Sequence, residues 1–133
     1  MKKLRFLIAD DETLTAKVLK NQVSKYGDCD QASNGREALE AFRLAFDGGR
    51  PYDMIFLDIM MPEMDGQSTL KAIREIEASQ RHGRKTLCKI YMVTASHEPH
   101  DVLEAYKNQC DGFLTKPLMK QRIDDAVQEL NVN

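Results

Sequence analysis

The sequence predicts an α/β fold in which five strands and five helices alternate to form a doubly wound, mostly parallel sheet. The first observation is that five short apolar runs alternate with stretches in which apolar residues recur at helical spacing. The second is that the central run, residues 54–57, is too short for an ordinary helix and lies between Pro51 and the turn-forming pair Met61-Pro62. The third is that 133 residues, 42% of them hydrophobic, suffice for one globular core. We therefore expect residues 1–133 to be a single domain.

Two strands and two helices are predicted in the first half of the chain. The apolar run at residues 4–9 predicts the first strand, which stops at the acidic residues 10–12. The period then changes to that of a helix, which we expect to end at Gly27. The apolar face of this helix comprises Leu14, Val18, Leu19, Val23 and Tyr26. Residues 29–32 are a weak candidate for the second strand, supported by the turn and capping signal that follows them. The second helix carries Ala38, Leu39, Phe42, Ala45 and Phe46 on its apolar face.

The second half of the chain continues the alternation after the central strand. The third helix begins at Gly66, and the basic segment at residues 81–85 is expected to be a solvated loop rather than a nucleic-acid site. Residues 89–94 predict the fourth strand, Pro99 marks the start of the fourth helix, and residues 113–115 predict the fifth strand. The apolar stripes of the last three helices comprise Leu70, Ile73 and Ile76, then Val102, Leu103 and Tyr106, and finally Leu118, Ile123, Ala126, Val127 and Leu130.

Charge and hydropathy argue against several functional classes. A formal net charge of -2 provides no basic field for nucleic acid or for an anionic membrane. The first apolar run is too short for a signal peptide, and no stretch has the length of a membrane span. The cysteines, Cys29, Cys88 and Cys110, are odd in number and lack C-x-x-C spacing. We therefore expect buried free thiols and a cytoplasmic location.

Reactive side chains follow four of the five predicted strands. Asp10 and Asp11 come after the first strand, Asp58 follows the third, Thr94 ends the fourth and Lys116 follows the fifth. Because the carboxyl ends of parallel strands lie at the same edge of a sheet, these side chains are expected to meet at a crevice there. Each could singly be a helix cap, a surface charge or a turn residue. Those ordinary explanations do not account for their common placement.

Three carboxylates at one sheet edge predict a site for a divalent cation. Neighbouring strands lie about 4.8 Å apart, so these carboxylates should lie roughly 5 to 8 Å from one another. At an effective dielectric constant of about 20, each pair costs on the order of 2 to 3 kcal/mol, which a divalent cation would relieve. Hard oxygen ligands with room for water suit Mg²⁺. An aspartate beside Mg²⁺, a lysine and a threonine hydroxyl can act as a nucleophile toward a phosphoryl group.

With these residues in this order, the sequence resembles the receiver domain of two-component response regulators, the CheY-like family with its flavodoxin-like (βα)5 fold. The resemblance covers essentially the whole chain and is carried by Asp10-Asp11, Asp58, Met61-Pro62, Asp65-Gly66, Thr94-Ala95 and Lys116-Pro117, in that order. It implies that Asp58 accepts a phosphoryl group from a histidine kinase. The Mg²⁺ ligands that it implies are Asp10, Asp11, Asp58 and the backbone carbonyl of Met60.

The same resemblance implies a switch and a set of partners. Thr94 and Lys116 would contact the phosphoryl group, and Thr94 with Phe113 would switch a docking surface made by the fourth helix, the fifth strand and the fifth helix. A cis peptide bond is implied between Lys116 and Pro117. The expected partners are a sensor histidine kinase or phosphotransfer protein and a downstream protein target, with no direct binding to nucleic acid or membrane. We expect neither an output domain nor an enzymatic activity.

Two other functions share parts of this pattern. A phosphohydrolase of the haloacid-dehalogenase type also uses an aspartate nucleophile, Mg²⁺, a hydroxyl group and a lysine. It needs an acid two residues after the nucleophile, where this chain has Met60. A receiver-like module that binds partners without being phosphorylated is disfavoured, because no site residue is missing. Met60 and Ser96, each two residues beyond a site residue, are expected to flank the path of the water that hydrolyses the phosphorylated form.

Overall fold

The computed structural model describes residues 3–79, 88–95 and 98–131. The strands are β1 (Leu4–Ala9), β2 (Gly27–Ala32), β3 (Met54–Asp58), β4 (Lys89–Thr94) and β5 (Gly112–Thr115). The helices are α1 (Thr13–Val23), α2 (Gly35–Asp47), α3 (Gly66–Ser79), α4 (Pro99–Lys107) and α5 (Lys120–Gln128), followed by a 3-10 turn at Glu129–Asn131. None of these helices is long and apolar enough to cross a membrane. The predicted basic loop at residues 81–85 and Ser96 lie outside the described residues.

All five strands run parallel in one sheet with the order β2-β1-β3-β4-β5. β1 pairs with β2 on one side and with β3 on the other, so the direction of winding reverses between β1 and β3. This is the doubly wound α/β fold that the sequence predicts. The reversal matters for function, because ligands of such sheets bind outside the carboxyl ends of the strands at this point.

Helices cover both faces of the sheet and form two cores. Phe6 and Phe56 contribute to the core under α1 and α5. Leu7 and Leu57 contribute to the core on the opposite face, which α2, α3 and Ala105 of α4 cover. Adjacent residues of β1 and β3 therefore point to different cores, and all four of these side chains are fully buried. This explains why the central strands are continuously apolar rather than alternating in sequence.

β1 and β4 have the predicted bounds, whereas β2 begins at Gly27 rather than at residue 29. The Cα atom of Gly27 pairs with that of Leu4, and a Cβ atom on Gly27 would lie 2.0 Å from the Leu4 carbonyl oxygen. Only glycine therefore fits where this strand begins. The prediction that Gly27 ends the first helix is wrong, because α1 already ends at Val23.

Two helices bury different residues from those that the spacing predicts. Leu14 is 72% exposed, because the side of α1 that packs on the sheet and α5 is centred on residues such as Leu19. On α4, Leu103 is 71% exposed and Tyr106 is 53% exposed, whereas Ala105 is buried. The prediction that these exposed residues belong to core-facing stripes is wrong. Helical spacing identifies the apolar positions but not how much of each helix the sheet covers.

The cysteines are free thiols, as predicted. Cys88 and Cys110 are buried, and Cys29 is only half-buried, so the expectation of full burial holds for two of them. Burial raises the pKa of the Cys29 thiol to about 11, and it does the same for Cys110. Both thiols are therefore protonated at neutral pH, in the form that resists oxidation.

A buried ion-pair network joins α3 to the starts of β4 and β5. Arg74 donates to Glu77 Oε1 at 2.7 Å and to Asp111 Oδ2 at 2.9 Å, and the side chains of Arg74 and Glu77 are 9% and 3% exposed. Glu77 Oε2 accepts a hydrogen bond from the Cys88 amide at 3.1 Å, and Asp111 Oδ2 accepts one from the Ile90 amide at 2.8 Å. These bonds fix the amino-terminal ends of β4 and β5, opposite the edge where the reactive side chains lie.

We expect Glu77→Gln to destabilise the fold by about 3 kcal/mol, because breaking one pair of a buried network leaves the Arg74 guanidinium with too little compensating charge. Urea unfolding followed by circular dichroism measures the change. Glu75→Gln alters an exposed position on the same helix and is the matched control, with an expected change within about 0.5 kcal/mol. Equal unfolding midpoints for Glu77→Gln and the parent would contradict a stabilising role for this network.

Candidate functional site

The reactive side chains predicted at the strand ends meet at one edge of the sheet. Asp10 follows β1, Asp58 ends β3, Thr94 ends β4 and Lys116 follows β5. Asp10 directly follows β1 and Asp58 ends β3, the two neighbouring strands between which the winding reverses. The site therefore lies where the geometry of a doubly wound sheet leaves a crevice.

Three carboxylates converge in this crevice. Asp10, Asp11 and Asp58 each offer one carboxylate oxygen, and these three atoms lie within 4.8 Å of one another. That separation is slightly shorter than the range expected from strand spacing. Asp10 and Asp58 are buried, whereas Asp11 is exposed. Burial weakens the screening of the repulsion between the two inner carboxylates.

Backbone amides orient the two buried carboxylates. The amide of Glu12 donates to Asp10 Oδ1 at 2.8 Å, and the amide of Met60 donates to Asp58 Oδ1 at 3.1 Å. Asp10 Oδ2 is buried and accepts no hydrogen bond within the described part of the chain. A buried carboxylate oxygen without a donor is costly unless a cation approaches it. The cluster therefore offers hard oxygen donors that fit Mg²⁺.

Lys116 brings a positive charge to the same carboxylates. Its Nζ atom lies 3.3 Å from Glu12 Oε1, 3.4 Å from Asp58 Oδ2 and 3.6 Å from Asp10 Oδ2. The Lys116 amide donates to the Thr94 carbonyl at 2.8 Å, and the Lys116–Pro117 peptide bond is cis, as the resemblance implied. The ammonium group is thus held beside the carboxylates by the chain that leaves β5.

The pKa values of the site reflect this mixture of burial and charge. Burial, together with the nearby Asp58 carboxylate, raises the pKa of Asp10 to about 7 although the Glu12 amide lowers it. Burial alone would lower the pKa of Lys116, but Asp58, Asp10 and Glu12 outweigh burial and raise it. The hydrogen bond from the Thr15 hydroxyl, followed by Lys116, lowers the pKa of Glu12. The lysine is therefore charged at neutral pH, and Asp10 releases its proton more readily once a cation is bound.

The loop between β3 and α3 is fixed on both sides, and this fixes Asp58. The Ile59 amide donates to the Val93 carbonyl at 3.1 Å, and the Gly66 amide donates to the Ile59 carbonyl at 2.8 Å. A Cβ atom on Gly66 would lie 2.2 Å from the Asp58 carbonyl oxygen, so this close return of the chain requires glycine. On the other side, the Gly35 amide of α2 donates to the Met64 carbonyl at 3.1 Å.

Thr94 and Phe113, predicted as switch residues, lie at different depths. Thr94 is buried at the end of β4, where its Cα atom pairs with that of Thr115. Phe113 is half-buried, and its ring centroid lies 5.6 Å from that of Tyr106 on α4. Met60, two residues after Asp58, is 76% exposed. The structure therefore brings Thr94 to the crevice and places Phe113 between the sheet and α4.

Glu12 is the site residue for which the sequence predicted no role. It extends the Asp10-Asp11 pair, and its carboxylate lies closer to Lys116 than that of either Asp58 or Asp10. The available signal was the unbroken acidic run at residues 10–12. That run alone does not show that a lysine 104 residues away reaches Glu12.

Comparison with known proteins gives consistent matches along the chain. The family model described as "Response regulator receiver domain" matches residues 6–128. Chemotaxis protein CheY of Thermotoga maritima is 31% identical over 129 residues, which cover 96% of this chain and 97% of that protein. Hybrid signal transduction histidine kinase F of Dictyostelium discoideum is 33% identical over 131 residues, which cover 94% of this chain and 11% of the kinase. The CheX-CheY-BeF3-Mg+2 complex from Borrelia burgdorferi contains a chain with a TM-score of 0.80 and 25% identity, covering 98% of this chain and 90% of that chain.

Without metal, Asp10→Asn should raise the free energy of unfolding at pH 8 by on the order of 2 kcal/mol, because it removes one charge from the carboxylate cluster. The pKa of Asp10 is about 7 in the fold, against its ordinary value of 3.8. The stabilisation from protonated Asp10 is therefore complete below about pH 4 and is lost as the pH rises through 7. The gain from Asp10→Asn should accordingly be larger at pH 8 than at pH 5.

Thermal unfolding in EDTA at the two pH values measures this difference. Asp125→Asn removes an exposed charge from α5 and is the matched control, with no gain expected at either pH. Equal gains from Asp10→Asn at pH 5 and pH 8 would contradict the raised pKa of Asp10.

Proposed function

Because this chain belongs to the response regulator receiver domain family, it is a receiver domain of two-component signalling, and we propose that Asp58 is its phosphoacceptor. The observation that supports this most strongly is the convergence of Asp58 with two further carboxylates and Lys116 in the crevice of the sheet. The proposed phosphoryl donor is a sensor histidine kinase or a phosphotransfer protein.

The proposed reaction is the transfer of a phosphoryl group to a carboxylate oxygen of Asp58. The new bond to phosphorus forms as the bond from phosphorus to the donor's imidazole nitrogen breaks, and that nitrogen keeps the electron pair. Lys116, already 3.4 Å from Asp58 Oδ2, would donate to one phosphoryl oxygen, and the Thr94 hydroxyl would donate to another. Bound Mg²⁺ supplies positive charge that offsets the carboxylates and the phosphoryl oxygens. Its proposed ligands are Asp10, Asp11, Asp58 and the backbone carbonyl of Met60.

The two alternative functions are not favoured. A phosphohydrolase would need an acid at Met60, whose exposed thioether neither donates nor accepts a proton. The family consists of signalling proteins, and we propose that this chain acts as one rather than as an enzyme. A module that is never phosphorylated is not favoured either, because each residue that the transfer would use is present.

The proposed output is a docking surface for a protein target, made by α4, β5 and α5. Leu103, Tyr106 and Met119 are exposed apolar side chains of this region, and the Tyr106 ring lies against Phe113. A relative from Borrelia burgdorferi has been solved as a CheX-CheY-BeF3-Mg+2 complex, which supports a protein as the target here too. We propose no binding to nucleic acid or membrane, and we place the domain in the cytoplasm, where its thiols stay reduced.

Asp58→Asn should abolish labelling by acetyl phosphate, because the amide has no charged oxygen to attack phosphorus. Intact mass spectrometry after incubation with acetyl phosphate and Mg²⁺ measures the added phosphoryl group. Asp125→Asn should label like the parent, and EDTA should suppress labelling of both. Labelling of Asp58→Asn at the parent rate would overturn the assignment of the phosphoacceptor.

Thr94→Ala should suppress the response of the docking surface. Beryllofluoride with Mg²⁺, as a mimic of the aspartyl phosphate, should shift the amide NMR signals of residues 102–106 and 116–121 in the parent. The mutant should lose most of that shift while retaining Mg²⁺ binding, because it lacks the hydroxyl that would move toward the new negative charge. Ser68→Ala, an exposed hydroxyl on α3, is the control. Equal shifts in Thr94→Ala and the parent would exclude Thr94 as the carrier of the signal.

A further inference from the structure

Glu12 occupies the N-cap position of α1, but its side chain does not cap the helix. Short polar residues such as serine or aspartate are preferred there, because their side chains reach the free amides of the first turn. The Glu12 carboxylate makes no such bond. It accepts a hydrogen bond from the Thr15 hydroxyl and lies 3.3 Å from the Lys116 ammonium nitrogen. Its side chain is therefore used for contacts across the site rather than for the helix.

The ammonium group of Lys116 is shared among three carboxylates. A lysine ammonium has three N–H donors, and the Nζ atom here lies 3.3 Å from Glu12, 3.4 Å from Asp58 and 3.6 Å from Asp10. Glu12 is the nearest of these, and it does not belong to the three carboxylates whose oxygens converge. The Thr15 hydroxyl holds the Glu12 oxygen that faces Lys116, because both contacts involve Oε1.

We propose that Glu12 competes with the phosphoryl group for Lys116 and so weakens phosphoryl binding, with Thr15 holding Glu12 in the competing position. A phosphoryl group on Asp58 needs a donor from the same ammonium, and the Glu12 carboxylate attracts that ammonium away from it. Glu12 is thus a positioning residue that acts through Lys116. The inference rests on the proposed role of Asp58 as the phosphoacceptor.

The competition should be modest, because the Glu12 side chain is 57% exposed and Lys116 is 18% exposed. Ion pairs of exposed groups are screened by solvent and change equilibria by a few fold. We therefore expect Glu12→Gln to bind beryllofluoride about threefold more tightly than the parent at saturating Mg²⁺. Amide NMR titration measures the affinity. Glu40→Gln removes an exposed glutamate from α2 and should leave the affinity at the parent value.

Thr15→Val tests whether Glu12 acts through the position in which Thr15 holds it or only through its negative charge. This variant keeps the carboxylate and removes the hydroxyl that holds it, so the proposal predicts tighter binding of beryllofluoride, by less than in Glu12→Gln. Thr15→Ser keeps the hydroxyl and should match the parent. A gain in Glu12→Gln combined with parent affinity in Thr15→Val would show that only the charge matters, and it would overturn the proposal.

The ammonium signal of Lys116 tests the contact without metal or beryllofluoride. In the metal-free protein this signal should shift in Glu12→Gln and shift less in Thr15→Val. An unchanged signal in Glu12→Gln, or affinity for beryllofluoride no tighter than that of the parent, would overturn the proposal about Glu12 alone. Failure of the parent itself to bind beryllofluoride with Mg²⁺ would instead overturn the proposed function of Asp58.

Discussion

The repulsion among three carboxylates at one sheet edge is the constraint on which the rest of this structure depends. Asp10, Asp11 and Asp58 place their oxygens within 4.8 Å of one another, and one Asp10 oxygen accepts no hydrogen bond within the described residues. Lys116 offsets part of the repulsion but is shared with Glu12. These side chains leave the repulsion only partly offset, which favours binding of a divalent cation and makes the site responsive to added charge.

The fold holds these charges together by making the rest of the molecule rigid. β1 and β3 are buried on both faces, so neither Asp10 nor Asp58 can move away without disturbing two cores. Gly66 lets the loop after Asp58 return closely to the strand, and Gly35 ties that loop to α2. At the opposite end of the sheet, Arg74 fixes the starts of β4 and β5. The apolar cores and this network supply the stability that an unfavourable cluster of charges requires.

The strands and the strand-end residues could be predicted because they depend on local patterns. Buried parallel strands are short and continuously apolar, and this pattern predicted the bounds of β1 and β4 correctly. The predictions that were wrong concern features that depend on tertiary contacts. Gly27 resembles a helix stop but is required by the close approach of Leu4, and Leu14 is apolar but lies on the side of α1 that faces away from its packing surface. The role of Glu12 depends on Lys116, 104 residues away, which no local pattern contains.

The two ends of α4 are held differently, and this bears on how a change at Asp58 reaches the docking surface. After the helix ends, the chain is fixed by Arg74, which donates to the Gln109 carbonyl at 2.9 Å and to Asp111. At its first turn, Gln67 Nε2 donates to the Asp101 carbonyl at 2.8 Å, while the buried Gln67 Oε1 accepts no hydrogen bond within the described residues. Gln67 directly follows Gly66, whose amide bonds the loop after Asp58. Among the hydrogen bonds of the described residues, a displacement of α4 therefore breaks charged bonds from Arg74 at its C-terminal end and a neutral amide bond from Gln67 at its first turn, the end nearer to Thr94 and Asp58.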